Sequence, residues 1–219
     1  MTRKRLRMVL FGPQGCGKGT QGQLLADRFD VPIIGMGDLC RAEIESGSAL
    51  GLLVKEYVER GMLAPDELVN AVAQKALKAI DPNDGFILDG YPRNIEQAAS
   101  LDRVMKLNLA VQIKLADDES VRRLTNRRQC GKCRSIFHLV DAPPVKPGIC
   151  TFCGGALKQR SDDVEETIRV RLAGYHFMTE PMAGYYRQKG VLLAVQGAQS
   201  IASLFDELTK KMAKLGFNP

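Results

Sequence analysis

The sequence has no tryptophan, only two histidines in 219 residues, and no long apolar run. A transmembrane helix needs about 18 or more consecutive apolar residues, so we expect no membrane span. The basic amino terminus resembles the start of an export signal, but only four apolar residues separate Arg7 from Gly12, too few for the apolar core of a signal peptide. We therefore expect a cytoplasmic protein that does not engage membranes.

The net charge of +6 predicts a polyanionic partner, such as a nucleotide or a nucleic acid. Proteins that bind single-stranded nucleic acid usually stack the bases on exposed aromatic side chains. The absence of tryptophan and the few aromatic residues near the cysteines argue against this class. A basic zinc-ribbon protein that binds nucleic acid and has a regulatory nucleotide site is kept as an alternative, but we expect no nucleic-acid partner.

Five short apolar runs alternate with longer amphipathic segments, at residues 8–11, 31–34, 86–88, 110–115 and 191–195. This alternation predicts an α/β protein with a five-stranded parallel sheet covered by helices on both faces. Ligands of such sheets bind at the carboxyl ends of the strands. Gly12, Gly35, Asp89 and Gly197 lie just past the ends of four runs and mark the expected site.

Residues 11–21, Phe-Gly-Pro-Gln-Gly-Cys-Gly-Lys-Gly-Thr-Gln, follow the first run and precede a helical pattern. A glycine-rich turn between a strand and a helix predicts a phosphate-binding loop, because its N–H groups point at an anion and the helix N-terminus adds positive potential. Lys18 supplies a mobile charge for the β and γ phosphates. Gly19 replaces the hydroxyl residue that commonly follows the lysine, with Thr20 one step on, so we expect Mg²⁺ to lack a direct hydroxyl ligand here.

The third run ends in Asp89, which predicts a carboxylate beside the phosphate loop. Because Gly19 offers no hydroxyl, Asp89 is expected to act through the water shell that Mg²⁺ keeps. Gly90 and Pro92 then turn the chain and aim Arg93. A strand-end aspartate paired with a structural arginine is the alternative.

Two helical segments flank this region. Residues 35–64 predict a small helical lobe with a candidate N-cap at Asp38 and with Arg41 placed to reach a phosphate, although a solvated arginine is the alternative. Its pattern is interrupted by three glycines, at positions 47, 51 and 61.

The segment 94–105 predicts another helix, with Asn94 as a candidate N-cap. Within it, Gln97 carries an amide that can read a base edge through one donor and one acceptor. On its own, Gln97 is equally an ordinary helix glutamine.

Four of the six cysteines form two Cys-x-x-Cys pairs, Cys130 with Cys133 and Cys150 with Cys153. In a reducing compartment, two such pairs predict a closed tetrahedral site for a structural Zn²⁺. Fe²⁺ or Co²⁺ are alternative metals, two disulfides are an alternative chemistry, and His138 is an alternative ligand. The loop between the pairs has little material for a core, so the metal is expected to order this lobe.

Arginines flank the cysteine lobe on both sides, at Arg123, Arg127, Arg160 and Arg171. Beside a phosphate loop they are suited to clamp a transferring phosphoryl group, whereas a solvated charged face is the alternative. Asp162 and Asp163 are expected to hold some of them when the site is empty. Ser161 or Asp162 is also the candidate N-cap of the following helix.

With these residues in view, the chain resembles the adenylate kinase family, in its long, zinc-containing bacterial type, over essentially its whole length. The matching segments are residues 12–20 ending in Gly-Lys-Gly-Thr, Gly-Asp-Leu-Cys-Arg at 37–41, Leu-Asp-Gly-Tyr-Pro-Arg at 88–93 with Gln97, Arg123 with Arg127, the four cysteines, and Arg-Ser-Asp-Asp at 160–163 followed by Arg171. Together and in this order they are highly specific.

The resemblance implies a P-loop kinase of the nucleoside monophosphate kinase type, a monomer that interconverts ATP plus AMP with two ADP using Mg²⁺. It implies a core of residues 1–34, 65–125 and 164–219, an NMP-binding lobe at 35–64, and a zinc-binding lid at 126–163. ATP would contact Gly15, Cys16, Gly17, Lys18, Gly19, Thr20, Arg123, Arg127, Phe137, His138 and Gln199. AMP would contact Met36, Arg41, Met62, Leu63, Ala64, Gly90, Tyr91, Pro92, Arg93, Gln97, Arg160 and Arg171. Catalysis would rest on Lys18, Arg93, Arg123, Arg160 and Arg171.

The sequence departs from the family pattern in two places. The phosphate loop reads Gly-Pro-Gln-Gly where a common form has Ala-Pro in the middle, and Met36 stands where the family usually places a threonine near the AMP base. Met36 keeps open a kinase for another monophosphate, UMP or CMP, while Gln97 favours adenine.

Overall fold

The computed structural model describes residues 5–59, 64–81 and 84–218. Their strands are β1 (Arg7–Phe11), β2 (Ile33–Gly35), β3 (Phe86–Asp89), β4 (Leu109–Lys114), β5 (Arg127–Cys130), β6 (Ile136–His138), β7 (Leu157–Lys158) and β8 (Leu192–Gln196). Their helices are α1 (Lys18–Phe29), α2 (Met36–Glu45), α3 (Ala49–Glu59), α4 (Asp66–Lys78), α5 (Ile95–Asp102), α6 (Asp117–Thr125), α7 (Glu165–Gly174), α8 (Met182–Gln188) and α9 (Ile201–Lys214), and a π-helical turn (Tyr175–Thr179) lies between α7 and α8. Within these ranges, no helix is long and apolar enough to cross a membrane.

The central sheet is parallel and has the order β2-β3-β1-β4-β8. This confirms the predicted five-stranded parallel sheet, with each strand within two residues of its apolar run. Strand β1 lies in the middle, so the phosphate loop that follows it opens at the centre of the carboxyl edge.

Helices cover both faces of the sheet, as its apolar strands require. Val9 and Phe11 pack on one face with residues of α4, α5 and α8, whereas Met8 and Leu10 pack on the other with residues of α1 and α9. The alternation of side chains along β1 thus anchors the strand in two separate cores.

Helices α2 and α3 follow β2, where the sequence predicts a small helical lobe. Gly47 has a φ of 67° between them and ends the first helix, as expected. The predicted interruption at Gly51 is wrong, since Gly51 lies inside α3. A Cβ there would lie 2.1 Å from the Glu43 carbonyl oxygen, so this glycine allows α2 and α3 to approach closely. Gly61 lies outside the described residues.

The predicted helix caps had different outcomes. Asn94 is the N-cap of α5, since its Oδ1 accepts a hydrogen bond from the Gln97 N–H at 2.8 Å. Asp38 is not a cap, because α2 already begins at Met36 and Asp38 pairs with Arg41 in its first turn. Ser161 and Asp162 are not caps either, because α7 begins only at Glu165.

A second, antiparallel sheet of order β6-β5-β7 carries the cysteine pairs. Its core is small and consists of Cys130, Phe137 and Cys150, with Cys153 and Leu157 packed against them. This small core agrees with the expectation that the lobe has little apolar material. The sequence did not predict its strands, which are only two to four residues long.

Candidate active site

The phosphate loop has the backbone that its glycines predict. Gly15 and Gly17 have φ angles of 81° and 96°, in the left-handed region that other residues rarely adopt. At Gly12, a Cβ would lie 2.3 Å from the carbonyl oxygen of Ile113 on β4, so no side chain fits. Gly17 is the N-cap of α1, which places the helix N-terminus at the loop.

Lys18 folds back over this loop. Its Nζ donates to the carbonyl oxygens of Gly12 at 2.6 Å and Pro13 at 2.9 Å. Gly19 and Thr20 follow in the first turn of α1, and both are exposed. The ammonium therefore has only neutral partners here, and a phosphate oxygen would be a stronger acceptor for it.

Arg123 on α6 links the phosphate loop to the end of β8. Its Nη1 lies 3.4 Å from the Gly15 carbonyl oxygen and its Nη2 donates to the Gly197 carbonyl oxygen at 2.9 Å. Glu119 orients it by accepting from its Nε at 2.7 Å. Hydrogen bonds from Arg122 and from Arg123 lower the pKa of Glu119 to about 2, so this carboxylate is charged at neutral pH.

Three arginines gather around two neighbouring carboxylates where the cysteine lobe meets α7. Arg127 donates to both oxygens of Asp163, at 2.8 and 2.6 Å. Arg160 donates to both oxygens of Asp162, at 3.0 and 3.1 Å, and Arg171 donates to Asp162 Oδ2 at 2.8 Å. The expectation that these aspartates hold arginines is confirmed.

A second group of arginines, Arg41 and Arg93, lies near Cys40. Burial raises the pKa of the Cys40 thiol, and the charges of Arg93 and Arg41 oppose this rise. Arg41 is exposed and pairs with Asp38, whereas the Nε of Arg93 donates to the Gly90 carbonyl oxygen at 2.8 Å.

The two arginine groups are linked through α7 and the π-helical turn. The Gln14 side chain of the phosphate loop donates to the Arg171 carbonyl oxygen at 3.3 Å. Eight residues along the same segment, Thr179 Oγ1 donates to the Arg93 carbonyl oxygen at 2.7 Å. No ion pair joins the two groups directly in the part of the chain that the structure describes.

In the turn before Arg93, both Tyr91 and Pro92 are buried. Gly90 has a φ of 75° and the Tyr91–Pro92 peptide bond is cis. Tyr91 is buried, and its hydroxyl donates to Asn70 Oδ1 at 2.8 Å. Met36 is also buried, next to Gly90. Of the residues predicted around the AMP base, Ala64 is half-buried, and Met62 and Leu63 lie outside the described residues.

Gln97 is held at both ends of its amide. Its Oε1 accepts from the Arg93 N–H at 2.8 Å and its Nε2 donates to Asp66 Oδ1 at 2.6 Å. The other oxygen of Asp66 accepts from Asn94 Nδ2 at 2.6 Å. Gln97 is 3% exposed, so its amide has little freedom to turn.

The four paired cysteines converge on one point. Their Sγ atoms all lie within 4.8 Å of one another, and sulfurs around a tetrahedral Zn²⁺ lie roughly 3.8 Å apart. The distances Cys130 to Cys153 and Cys133 to Cys150 are 3.5 Å, and all four thiols are free, so the disulfide alternative is wrong.

His138 is not part of this cluster. Its Nδ1 accepts from the N–H groups of Val140 and Asp141, at 3.3 and 2.9 Å. The alternative of His138 as a metal ligand is therefore wrong.

Phe137, the neighbouring residue, is buried in the core of the cysteine lobe, and the centre of its ring lies 5.6 Å from that of Phe152.

Gln199, the remaining residue predicted to contact ATP, lies beyond β8. Its side chain donates to the Gln196 carbonyl oxygen at 2.7 Å and to Glu207 at 2.6 Å. These contacts engage the side-chain amide, so the expected backbone contact with the ATP adenine stays a prediction.

Three residues that support the predicted arginines and glutamine were not identified from the sequence. They are Glu119, which holds Arg123, Asp66, which holds Gln97, and Thr179, which holds Arg93. Only Glu119 had a local indication, because it lies four residues before Arg123 on one helix. The other two contacts join distant parts of the chain.

The phosphate loop at the centre of a parallel sheet, with arginines held around its carboxyl edge, defines a P-loop nucleotide phosphotransferase. The adenylate kinase family model matches residues 10–191. The chain is 40% identical over 212 residues to an adenylate kinase of Caldicellulosiruptor bescii, covering 94% of this chain and 99% of that one. It is 38% identical over 215 residues to one from Archaeoglobus fulgidus (96% and 99%), and 42% over 212 residues to one from Streptomyces coelicolor (94% and 96%).

The chain belongs to the adenylate kinase family. It is a nucleoside monophosphate kinase, and its reaction is ATP plus AMP to two ADP.

Proposed function

We propose that the phosphate loop binds the donor ATP and that the arginine groups bind and align AMP. The observation that carries this proposal is the position of Arg123, which spans the loop at Gly15 and the strand end at Gly197. On the donor side we assign Gly15, Cys16, Gly17, Lys18, Gly19, Thr20, Arg123, Arg127, Phe137, His138 and Gln199. On the acceptor side we assign Met36, Arg41, Met62, Leu63, Ala64, Gly90, Tyr91, Pro92, Arg93, Gln97, Arg160 and Arg171.

Phosphoryl transfer to AMP needs no base, because the accepting phosphate is already ionised. The protein then has to align the two nucleotides and neutralise charge on the transferring group. The cations for this task have partners within the protein: carbonyl oxygens hold Lys18, and the Asp162 carboxylate holds Arg160 and Arg171. Incoming phosphates would replace these partners.

Mg²⁺ fits this site through Asp89. Asp89 ends β3 and pairs in register with Leu10 of β1, the strand that leads into the phosphate loop. The ion supplies charge neutralisation between the β and γ phosphates when bound. Asp89 would hold its water shell, since Gly19 offers no hydroxyl oxygen.

Zinc is the metal that we propose for the four cysteines, in a structural role. Support comes from the four convergent sulfurs and from Gly155, where a Cβ would lie 2.9 Å from Cys130 Sγ and crowd the cluster. Fe²⁺ or Co²⁺ would suit the same thiolates. Elemental analysis of the purified protein distinguishes the three metals.

We also propose that residues 126–163 form a lid and residues 35–64 an NMP-binding lobe, both moving against a core of 1–34, 65–125 and 164–219. The separate sheet β6-β5-β7 and the helices α2 and α3 support this division. Closure would exclude water, which otherwise competes for the phosphoryl group. We propose a cytoplasmic monomer, and light scattering tests the oligomeric state.

The assigned roles are tested by offering AMP, UMP, CMP and GMP separately with Mg-ATP and measuring diphosphate formation. We expect strong preference for AMP, and a fall in turnover by at least 100-fold in Lys18→Ala and in Arg93→Ala with the fold retained. Near-normal rates in either variant would refute its assigned role. Preference for UMP or CMP would instead favour the alternative that Met36 raises.

A further inference from the structure

The Gln97 amide is fixed in a single orientation. Its carbonyl oxygen faces the Arg93 N–H, a donor, and its NH₂ group faces the Asp66 carboxylate, an acceptor. A rotation of the amide by 180° would set NH₂ against N–H and oxygen against a charged oxygen. Both hydrogen bonds would become repulsive contacts, so the flipped state is excluded.

Asp66 is the centre of this arrangement. Its two oxygens bind Gln97 and Asn94, both at 2.6 Å, and Asn94 Oδ1 in turn accepts the N–H of Gln97. These contacts join the first turn of α4 to the first turn of α5. The orientation of the amide is therefore set by a carboxylate 31 residues away in the sequence.

With these two contacts made, the hydrogen-bonding capacity left to the amide is one hydrogen on Nε2 and one lone pair on Oε1. A base that binds here meets a donor and an acceptor in a set order. Adenine presents an amino donor beside a ring-nitrogen acceptor, and cytosine presents the same order. Guanine and uracil present a carbonyl acceptor beside an N–H donor, which is the reverse, so a fixed amide matches the first pair and opposes the second.

We propose that Asp66 is a positioning residue that sets monophosphate selectivity by preventing rotation of the Gln97 amide. This inference rests on the proposed function, in which Gln97 faces the base of the acceptor. An arginine contact with the base could not discriminate in this way. The guanidinium carries only donors, so it has no order of donor and acceptor that a neighbour could fix.

The test compares Asp66→Asn and Asp66→Ala with Glu67→Gln, a control that removes the neighbouring, exposed carboxylate from the same first turn of α4. The measurement is kcat/KM for AMP, CMP, GMP and UMP with saturating Mg-ATP, and KM for ATP. We expect the ratio of AMP over GMP and over UMP to fall by about 5- to 160-fold in both Asp66 variants, which is the discrimination of about 1–3 kcal/mol that a bidentate base contact supplies. The ratio of AMP over CMP and KM for ATP should change much less, and Glu67→Gln should behave like the unmodified protein.

The outcomes separate the possible failures. If the Asp66 variants lose activity in equal proportion for every monophosphate, Asp66 has only a structural role and the inference is overturned. Unchanged AMP over GMP and UMP ratios in both variants overturn it as well. If the unmodified protein shows no preference for AMP over GMP and UMP, the proposed role of Gln97 fails, independently of the variants.

Discussion

Two adjacent aspartates at the base of the cysteine lobe should differ sharply in their contribution to stability. Asp163 is fully buried and accepts two hydrogen bonds from Arg127, whose side chain is 17% exposed. Asp162 is 32% exposed and pairs with two arginines, Arg160 and Arg171. The same substitution, aspartate to asparagine, can be made at both positions with almost no change in shape.

The expected magnitudes follow from burial. Removing one partner of a buried ion pair costs about 3–5 kcal/mol, and asparagine at 163 keeps one acceptor for Arg127, so we expect about 3 kcal/mol. At 162 the pairs are partly solvated, and such pairs contribute about 0.2–1 kcal/mol each, so we expect about 1 kcal/mol. For a chain of this length, 1 kcal/mol lowers Tm by about 2–4 °C. Asp163→Asn should therefore lower Tm by about 6–12 °C and Asp162→Asn by about 2–4 °C.

The assay is calorimetry with Zn²⁺ in slight excess and a reductant present. If the cysteine lobe melts separately from the core, the shift should appear in the transition of the lobe. A decrease in Asp163→Asn of less than 3 °C, or equal decreases in the two variants, would refute the argument that burial sets the difference.

Three further expectations have direct measurements. Chelation of the metal should lower Tm, and an unchanged melt with metal demonstrably absent would contradict a structural role. Gly12→Ala should abolish ATP binding, measured by calorimetric titration, because the alanine Cβ would lie 2.3 Å from the Ile113 carbonyl oxygen. By contrast, a Cβ at Gly184 in α8 would meet no atom within 4 Å, so Gly184→Ala should raise the free energy of unfolding by up to about 1 kcal/mol. Hydrogen bonds with Glu180 and Asp117 raise the pKa of His176. The stabilisation of the fold by these contacts is therefore complete at pH values below the pKa of His176 in the unfolded chain. It is lost as the pH rises through the higher pKa of His176 in the folded protein. Denaturant unfolding of His176→Gln should lack this loss.

The sheet could be predicted because its three central strands, β1, β3 and β4, are buried on both faces. Such strands read as short continuous apolar runs, and the alternation with amphipathic segments is strong over the whole chain. Helix starts were harder to predict. Asp38 and Asp162 both have the residue type of an N-cap, but their carboxylates bind arginines instead, and residue type alone does not show which partner wins.

The strands of the cysteine lobe could not be predicted for a different reason. Their two to four residues are too few for an alternating pattern, and Phe137 is the one large aromatic side chain in the lobe's buried cluster. Four cysteines predicted the site of convergence, because Cys-x-x-Cys spacing is itself a geometric constraint. The local backbone is then arranged around the sulfurs, and no apolar periodicity is needed to specify it.

Asp162 and Asp163 also reduce the repulsion among the arginines at the base of the cysteine lobe. Arg127, Arg160 and Arg171 lie close enough for their charges to interact, and burial together with the neighbouring cations lowers the pKa of Arg171 while Asp162 opposes this. Without Asp162 and Asp163, these guanidiniums would repel one another. On the proposed roles, nucleotide binding would exchange one anion for another, so little of the site would have to be rebuilt. On the proposed roles, the Arg-Ser-Asp-Asp sequence therefore combines a clamp for phosphate with the carboxylates that hold the clamp in place between turnovers.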